Sequence, residues 1–92
     1  MYRFYSNSFT TVATEDLMTQ FRTECGEDSA CLKSATIICN AELHISINGM
    51  TSSLLYLDSD GNYKLTLPLG YVNVSSIVPD EDGLTVWLAG VY

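Results

Sequence analysis

Basic residues are scarce in this sequence. Its 92 residues include four Lys and Arg against eleven Asp and Glu, which gives a formal net charge of −7. Proteins bind phosphate groups mainly through Lys and Arg, so we expect neither nucleic acid nor a membrane surface as a direct partner. Charged residues amount to only 16% of the chain, against roughly 25% in an average protein. This deficit favours a surface that is buried against a protein partner; the alternative is a neutral polar surface of Ser, Thr, Asn and Tyr.

Signals for a membrane or secretory location are also missing. No apolar run has the length that a transmembrane helix needs. The segment from Met1 to Asn7 lacks the basic-then-apolar layout of a signal peptide, so we predict no secretion by that route. The three cysteines, Cys25, Cys31 and Cys39, are an odd number without secretory context, which favours reduced thiols. A disulfide bond between Cys25 and Cys31 is the alternative.

Motifs for catalysis and metal binding are absent from the sequence. It contains no Walker, Rossmann or metalloprotease pattern, and no G-x-S-x-G nucleophile accompanies the single histidine, His44. Cys25, Cys31, Cys39 and His44 follow the spacing C-x5-C-x7-C-x4-H, which lacks the close C-x2-C pair typical of structural zinc sites. We therefore predict a non-enzymatic protein without cofactor, and with no catalytic, cofactor-binding or metal-ligating residues.

A β-hairpin within residues 54–67 is the clearest structure that the sequence predicts. Its turn is Asp60-Gly61, a dipeptide that favours a two-residue type I′ turn because both central residues need positive φ. The register that follows from this turn also places apolar residues opposite one another, so turn and burial pattern agree. The predicted pairs are Asp58 with Tyr63, Tyr56 with Leu65, and Leu54 with Leu67.

One short helix is predicted from Thr14 to Cys25. Thr14 is a suitable N-cap, and the acidic residues that follow it suit the positive end of the helix dipole. Leu17, Phe21 and Cys25 recur every four residues and form an apolar stripe. Gly26 comes next, as expected for the residue that ends a helix. Because the helix has only about three turns, it needs to pack its stripe against the rest of the protein.

Alternating apolar residues predict strands in four further segments. They run from Tyr2 to Val12, from Cys31 to Ile47, from Tyr71 to Val78 and from Leu84 to Tyr92. The apolar phase of the second segment changes near Glu42, which indicates a bend or a bulge, and Asn48-Gly49 follows as a second hairpin turn. The residues from Pro79 to Gly83 predict a turn with an acidic tip.

These elements together predict a mainly β fold in a single domain spanning residues 1–92. The architecture is a small antiparallel β-sandwich or sheet of five to six strands with one short N-terminal helix. The last strand is apolar on both faces, which indicates a central strand or one covered by a partner. The residues that we predict at a protein interface are Tyr2, Phe4, Trp87, Val91 and Tyr92.

The function that these features favour is passive assembly. We predict a structural protein of a virus, specifically a phage: a capsid decoration or cement protein, or a small tail or head-to-tail component. Its partners would be other protein subunits in a homo- or hetero-oligomer, such as capsid or tail proteins. It would be located in the virion after assembly in the host cytoplasm. This prediction is associational, because a fold does not determine a function.

Two other functions suit the composition. The first is an acidic inhibitor, such as an anti-defence protein, that mimics nucleic acid through its acidic loop tips: Asp58, Asp60, Asp80, Glu81 and Asp82. The second is a carbohydrate-binding surface module that uses Trp87. The turn that begins at Asp58 also resembles the start of a calcium loop, but Tyr63 and Leu69 replace the required Gly and Glu. A plain hairpin turn is the stronger interpretation.

Overall fold

The computed structural model describes residues 2–50, 53–54, 56–57 and 61–92, with the backbone alone for residues 53, 54, 56 and 57. In chain order the elements are β1 (Phe4–Thr10), α1 (Leu17–Cys25), β2 (Ser34–Cys39), β3 (His44–Ile47), β4 (Ser53–Leu54), β5 (Tyr56–Leu57), β6 (Tyr63–Leu67), β7 (Ile77–Pro79) and β8 (Thr85–Val91). The described part contains six strands of three or more residues and one short helix. The predicted mainly β class is therefore confirmed.

Strand β8 lies inside a five-stranded antiparallel sheet of order β1-β8-β2-β6-β5, which we call the large sheet. It pairs with β1 on one side and with β2 on the other. The small sheet is also antiparallel and has the order β4-β3-β7. The prediction that the last strand is central is thus confirmed. Because β1 and β2 both pair with β8, the large sheet is complete only when the last strand lies between them.

The hydrophobic core lies between one face of the large sheet, the inner face, and a layer formed by α1 and the small sheet. The inner face contributes alternate buried residues of β2 and β8: Ala35, Ile37, Cys39, Val86 and Leu88. The covering layer contributes Leu17, Met18, Phe21, Ile45 and Ile77. Each large apolar side chain buried in this way contributes about 1.5–3 kcal/mol. The predicted apolar stripe of the helix is confirmed at Leu17 and Phe21.

The helix begins later than the sequence predicts. Thr14 is not its N-cap: this residue has a φ of 66°, and its N–H donates to the carbonyl of Pro79 at 3.0 Å, which holds it in the preceding loop. Asp16 is the N-cap, with extended backbone and with Oδ1 accepting from the N–H of Met18 at 2.9 Å. The other end is as predicted. Gly26 has a φ of 75° and donates its N–H to the carbonyl of Arg22.

Asp16 also joins the helix to the small sheet, because the same Oδ1 accepts from the N–H of Ile77 at 2.9 Å. Asp16→Ala removes the cap and the partner of that amide, so we expect it to lower the free energy of unfolding by about 2 kcal/mol. Asp16→Asn keeps an acceptor oxygen and should cost less than about 1 kcal/mol. Urea unfolding of both variants, with Thr14→Ala as the control, measures this. A larger loss for Thr14→Ala than for Asp16→Ala would contradict the assignment.

The predicted hairpin is confirmed only in part. Leu54 does not lie opposite Leu67 but opposite His44, in the small sheet, and β5 pairs with β6 in a register that differs by one residue. Tyr56 lies opposite Lys64 and Leu57 lies opposite Tyr63, whereas the sequence predicts Tyr56 opposite Leu65. Five residues separate Leu57 from Tyr63, and an odd number leaves no place for a two-residue turn. The predicted turn residues Asp58 and Asp60 lie outside the described residues. The position of β6 is set instead by its pairing with β2, where Ile37 lies opposite Leu65 and Ala35 lies opposite Leu67.

The prediction of a strand from Tyr71 to Val78 is wrong for most of its length. Val74 forms an isolated bridge with Leu32, and strand β7 begins only at Ile77. The buried residues Val74 and Ile77 are three positions apart, which does not fit the period of two that a strand requires. Pro79 ends β7 instead of starting the acidic turn. A proline is tolerated there because β7 is an edge strand of the small sheet.

The predicted turn at Asn48-Gly49 is confirmed, and Asn48 also anchors the chain after Val74. Both turn residues have positive φ, 55° and 75°. The Asn48 Nδ2 donates to the carbonyl of Asn73 at 2.8 Å, and its Oδ1 accepts from the N–H of Ser75 at 2.7 Å. These bonds satisfy backbone groups that a strand ladder would otherwise pair, which is one reason the segment is irregular.

Candidate protein-interaction surface

The outer face of the large sheet is its second side, opposite the core. Alternation along the strands and the pairing register place thirteen described residues on it: Phe4, Ser6, Ser8, Thr10, Ser34, Thr36, Ile38, Lys64, Thr66, Thr85, Trp87, Ala89 and Val91. All thirteen are exposed or half-buried. Residues 2–50 and 61–92 provide no helix or second sheet that covers them, because α1 and the small sheet belong to the core layer.

Apolar side chains are concentrated along β8 on this face. Trp87 is 45% exposed and lies between Ser8 on β1 and Ile38 on β2. Phe4 is 73% exposed and lies opposite Val91. Aromatic side chains are enriched in protein interfaces, whereas isolated exposed ones are ordinary on any surface. Here Trp87 and Phe4 share one face with the aliphatic residues Ile38 and Val91, and the four side chains form an apolar patch.

The described residues of the outer face include no acidic side chain. None of the thirteen is Asp or Glu, and Lys64 is the only charged residue among them, although the chain as a whole has a net charge of −7. Like charges that face each other across an interface are unfavourable. This surface therefore allows close approach of another protein, including an acidic one, without opposing its charge.

A polar cluster lies on the inner side of the large sheet, where β1 meets α1. Glu24 Oε1 accepts from Asn7 Nδ2 at 2.6 Å and from Gln20 Nε2 at 2.9 Å. The hydrogen bond from Gln20 lowers the pKa of Glu24, and the one from Asn7 adds to this. Burial raises the pKa of Tyr5 to about 12, and the nearby Glu24 carboxylate contributes to the rise. Both shifts lead away from neutral pH, so neither group exchanges a proton there.

The predicted interface residues do not all lie together. The structure brings Phe4, Trp87 and Val91 onto the outer face. Tyr2 is 55% exposed just before β1, and Lys33 Nζ lies 5.2 Å from the centre of its ring. Tyr92 points the other way and packs edge-to-face on Phe21 with ring centres 5.1 Å apart. Tyr92 therefore contributes to the core.

The acidic loop tips serve different purposes where they are described. Asp82 Oδ1 accepts from the N–H of Ala13 at 2.6 Å, so its carboxylate ties the last turn to the loop after β1. Asp80 and Glu81 are exposed. Asp58 and Asp60 lie outside the described residues. An acidic surface that combines all five side chains is therefore not established, and Asp82 has a structural role that the sequence does not reveal.

The cysteines and the histidine are dispersed. Cys39 is buried on the inner face, Cys25 and Cys31 are half-buried free thiols, and His44 is exposed on β3. Within the described residues, no three His, Cys, Asp or Glu side chains lie close enough to hold a metal ion.

An apolar groove of about 550 Å³ lies between the Asn48-Gly49 turn and β6. Its described lining includes Met50 and Tyr71, each 72% exposed. The described lining residues carry no acidic or basic side chain. Tyr71 is useful below as an exposed aromatic residue away from the outer face.

Sequence reasoning missed Ile38 and Ser8 as members of the apolar patch. Both flank Trp87 only because β8 pairs with β1 and β2 at once. The alternation of Ile38 with the buried residues of β2 was the available signal. Strand order, which places these residues side by side, cannot be obtained from alternation.

Within the described ranges, no helix has the length and apolarity that crossing a membrane requires.

Comparison with known proteins gives no relative. No family model, no curated protein and no solved structure matches this chain.

Proposed function

We propose that this protein is a non-enzymatic assembly subunit that packs its outer face against the outer face of another copy. The observation that carries the proposal is the apolar patch on the outer face, whose described residues include no Asp or Glu although the chain has a net charge of −7. Two such faces meet without bringing carboxylates together. The remaining acidic surface stays in water and keeps the assembly soluble.

The energetic basis is the burial of Trp87, Phe4 and their aliphatic neighbours. Burying a large apolar side chain completely contributes about 1.5–3 kcal/mol, and aromatic residues near the centre of an interface often dominate its stability. Ser6, Ser8 and Thr36 lie between these side chains on the neighbouring strands. Their hydroxyl groups can keep water or pair across the interface, so they add specificity at little cost.

The assembly that the sequence favours is part of a viral particle, and this stays a prediction. A decoration or tail subunit would act passively, since many repeated contacts lend a particle kinetic stability. The basic residues support a protein partner over nucleic acid. Arg22 donates to the carbonyls of Ala30 and Ser75, and Lys33 lies over the Tyr2 ring. Co-sedimentation of the protein with purified particles of the virus that encodes it would test this setting.

Trp87 provides a direct test of the proposed interface, because it is the single tryptophan of the chain. If the outer faces meet, its emission should move to shorter wavelength and become less accessible to acrylamide as the protein concentration rises. The Phe4→Ser variant should require at least about tenfold more protein for the same change, a difference of about 1.4 kcal/mol.

The control is Tyr71→Ser, which removes a side chain as exposed as Phe4 but located away from the outer face. It should leave the concentration dependence of the Trp87 emission unchanged. If emission is independent of concentration up to about 1 mM, corresponding to roughly 4 kcal/mol of binding free energy, the proposed contact is wrong. Equal effects of the two variants would also contradict it.

A further inference from the structure

Strand β1 is an edge of the large sheet, and half of its backbone groups face outward. Arg3 and Tyr92 exchange both N–H···O hydrogen bonds, at 2.8 and 2.9 Å, and Thr11 donates to Leu84 at 2.8 Å. Bonded pairs alternate along an antiparallel ladder, so the odd-numbered residues of β1 bond to β8. Phe4, Ser6, Ser8 and Thr10 therefore point their N–H and C=O groups away from the sheet.

This edge has few of the features that normally protect one. Natural edge strands are blocked by charged side chains, prolines, bulges or short length. From Phe4 to Thr10 the strand has seven residues, no charge and no proline, and its register with β8 is unbroken. Asn7 gives partial protection, since its Oδ1 accepts from the outward N–H of Ser8 at 2.8 Å.

We infer that β1 pairs antiparallel with β1 of a second copy, about a two-fold axis at Asn7. This register sets Phe4 opposite Thr10 of the second copy and Ser6 opposite Ser8 of the second copy. Each pair then exchanges two backbone hydrogen bonds through the outward groups. The side chain of Asn7 releases the N–H of Ser8 when the strands meet. The two large sheets become one continuous sheet.

We assign the edge of β1 to a second copy because a single outer face is too small for a stable interface. The four strands β1, β8, β2 and β6 have seven, seven, six and five residues, so they span roughly 19 Å by 21 Å, or about 400 Å². A standard interface buries about 800 Å² on each partner. Two outer faces joined side by side through β1 provide that area, about 800 Å². The inference thus extends the proposed function: edge pairing builds an outer face large enough for stable packing.

Charge is compatible with this pairing. The paired strand segments contain no charged side chain, so no like charges lie opposite each other within the new ladder. Glu24 lies beside the axis because it accepts from Asn7, and the second copy brings its own Glu24. Added salt screens these two carboxylates, so we expect edge pairing to strengthen as the salt concentration rises.

The test is Ser6→Pro, with Ser6→Ala as its matched control. Proline removes only an outward N–H, and it is tolerated on an edge strand, so the ladder between β1 and β8 is retained. Ser6→Ala removes the same hydroxyl group and keeps the outward N–H, so we expect Ser6→Pro to dimerise at least tenfold more weakly than Ser6→Ala in sedimentation equilibrium. Equal dimerisation of the two variants, or a wild-type chain that is monomeric at about 1 mM, would overturn the inference.

Residue-resolved hydrogen exchange of the wild-type protein gives a second test that requires no variant. The outward amides of Phe4, Ser6 and Thr10 should become at least tenfold more protected as concentration rises, while the amides of Asn7 and Phe9 are protected throughout. Packing of outer faces alone provides no hydrogen bond to the outward amides. Protection without a Trp87 emission change would therefore support edge pairing and contradict the proposed face contact. A Trp87 emission change without protection of the outward amides would overturn edge pairing and support the face contact.

Discussion

Replacing Gly90 with alanine should destabilise this protein by at least about 3 kcal/mol, or prevent it from folding. A Cβ atom at this position would overlap the backbone carbonyl oxygen of Ser34 and approach Leu32 Cδ2 at 3.3 Å. The carbonyl comes so close because the chain bulges at Lys33, whose N–H donates to Val91 although Ser34 faces the same residue. Backbone cannot rotate away as a flexible side chain would.

The position of Gly90 within β8 increases the expected cost. Moving β8 to accommodate a methyl group would disturb its pairing with both β1 and β2. Ala89→Ser is the matched control, since this neighbouring residue is half-buried on the outer face, and it should cost less than about 1 kcal/mol. Thermal unfolding of the two variants measures the difference. A Gly90→Ala protein as stable as Ala89→Ser would show that the Ser34 carbonyl is not where the structure places it.

Phe21→Ala should lower the free energy of unfolding by about 3–5 kcal/mol, because it empties the space between α1 and the inner face. Phe21 is completely buried, and its ring packs edge-to-face between Tyr5 and Tyr92 at 4.8 and 5.1 Å. Such aromatic contacts add about 0.5–1.5 kcal/mol to the burial of apolar area. The helix has nine residues, so it depends on this contact for its stability.

Phe4→Ala is the control for Phe21→Ala, since it makes the same chemical change on the other side of the sheet. Phe4 is 73% exposed, so its removal should cost less than about 1 kcal/mol in the monomer. Urea unfolding at low protein concentration compares the two. If Phe4→Ala were as destabilising as Phe21→Ala, the outer face would be part of a core, and its proposed role in assembly would fail.

Local features of the sequence predict local features of the fold well. The apolar stripe at Leu17 and Phe21 and the glycine at position 26 define the body and the end of α1, since all are separated by a few residues. The start of α1 is different. Asp16 is preferred over Thr14 because it also accepts from Ile77, 61 residues away in the chain, and no local pattern contains that information.

The difference between local and long-range information also explains the register of the hairpin. Asp60-Gly61 predicts a register that depends on the turn alone, whereas β6 is held by its pairing with β2. The burial of Leu65 and Leu67 against the core outweighs the preference of a dipeptide, because a one-residue shift of β6 would turn both side chains outward.

The candidate surface was partly predictable for a similar reason. Trp87 and Val91 are recognisable within one strand, because β8 is apolar on both faces. Phe4 is recognisable as an aromatic residue near the start of the chain. Their assembly with Ile38 into one patch depends on the order β1-β8-β2, which pairs the first and the last strand. Tyr92 is in phase with the buried Val86 and Leu88, so alternation along the last strand already indicates that it turns towards the core and not towards the outer face with Val91.

The most direct test of the account is the molar mass in solution, measured by light scattering over a range of protein concentrations. We expect the wild-type chain to form dimers or larger assemblies, the Phe4→Ser variant to form smaller ones, and Tyr71→Ser to match the wild type. A wild-type mass that stays at 10.1 kDa up to about 1 mM, equivalent to a binding free energy of roughly −4 kcal/mol, would contradict assembly through the outer face.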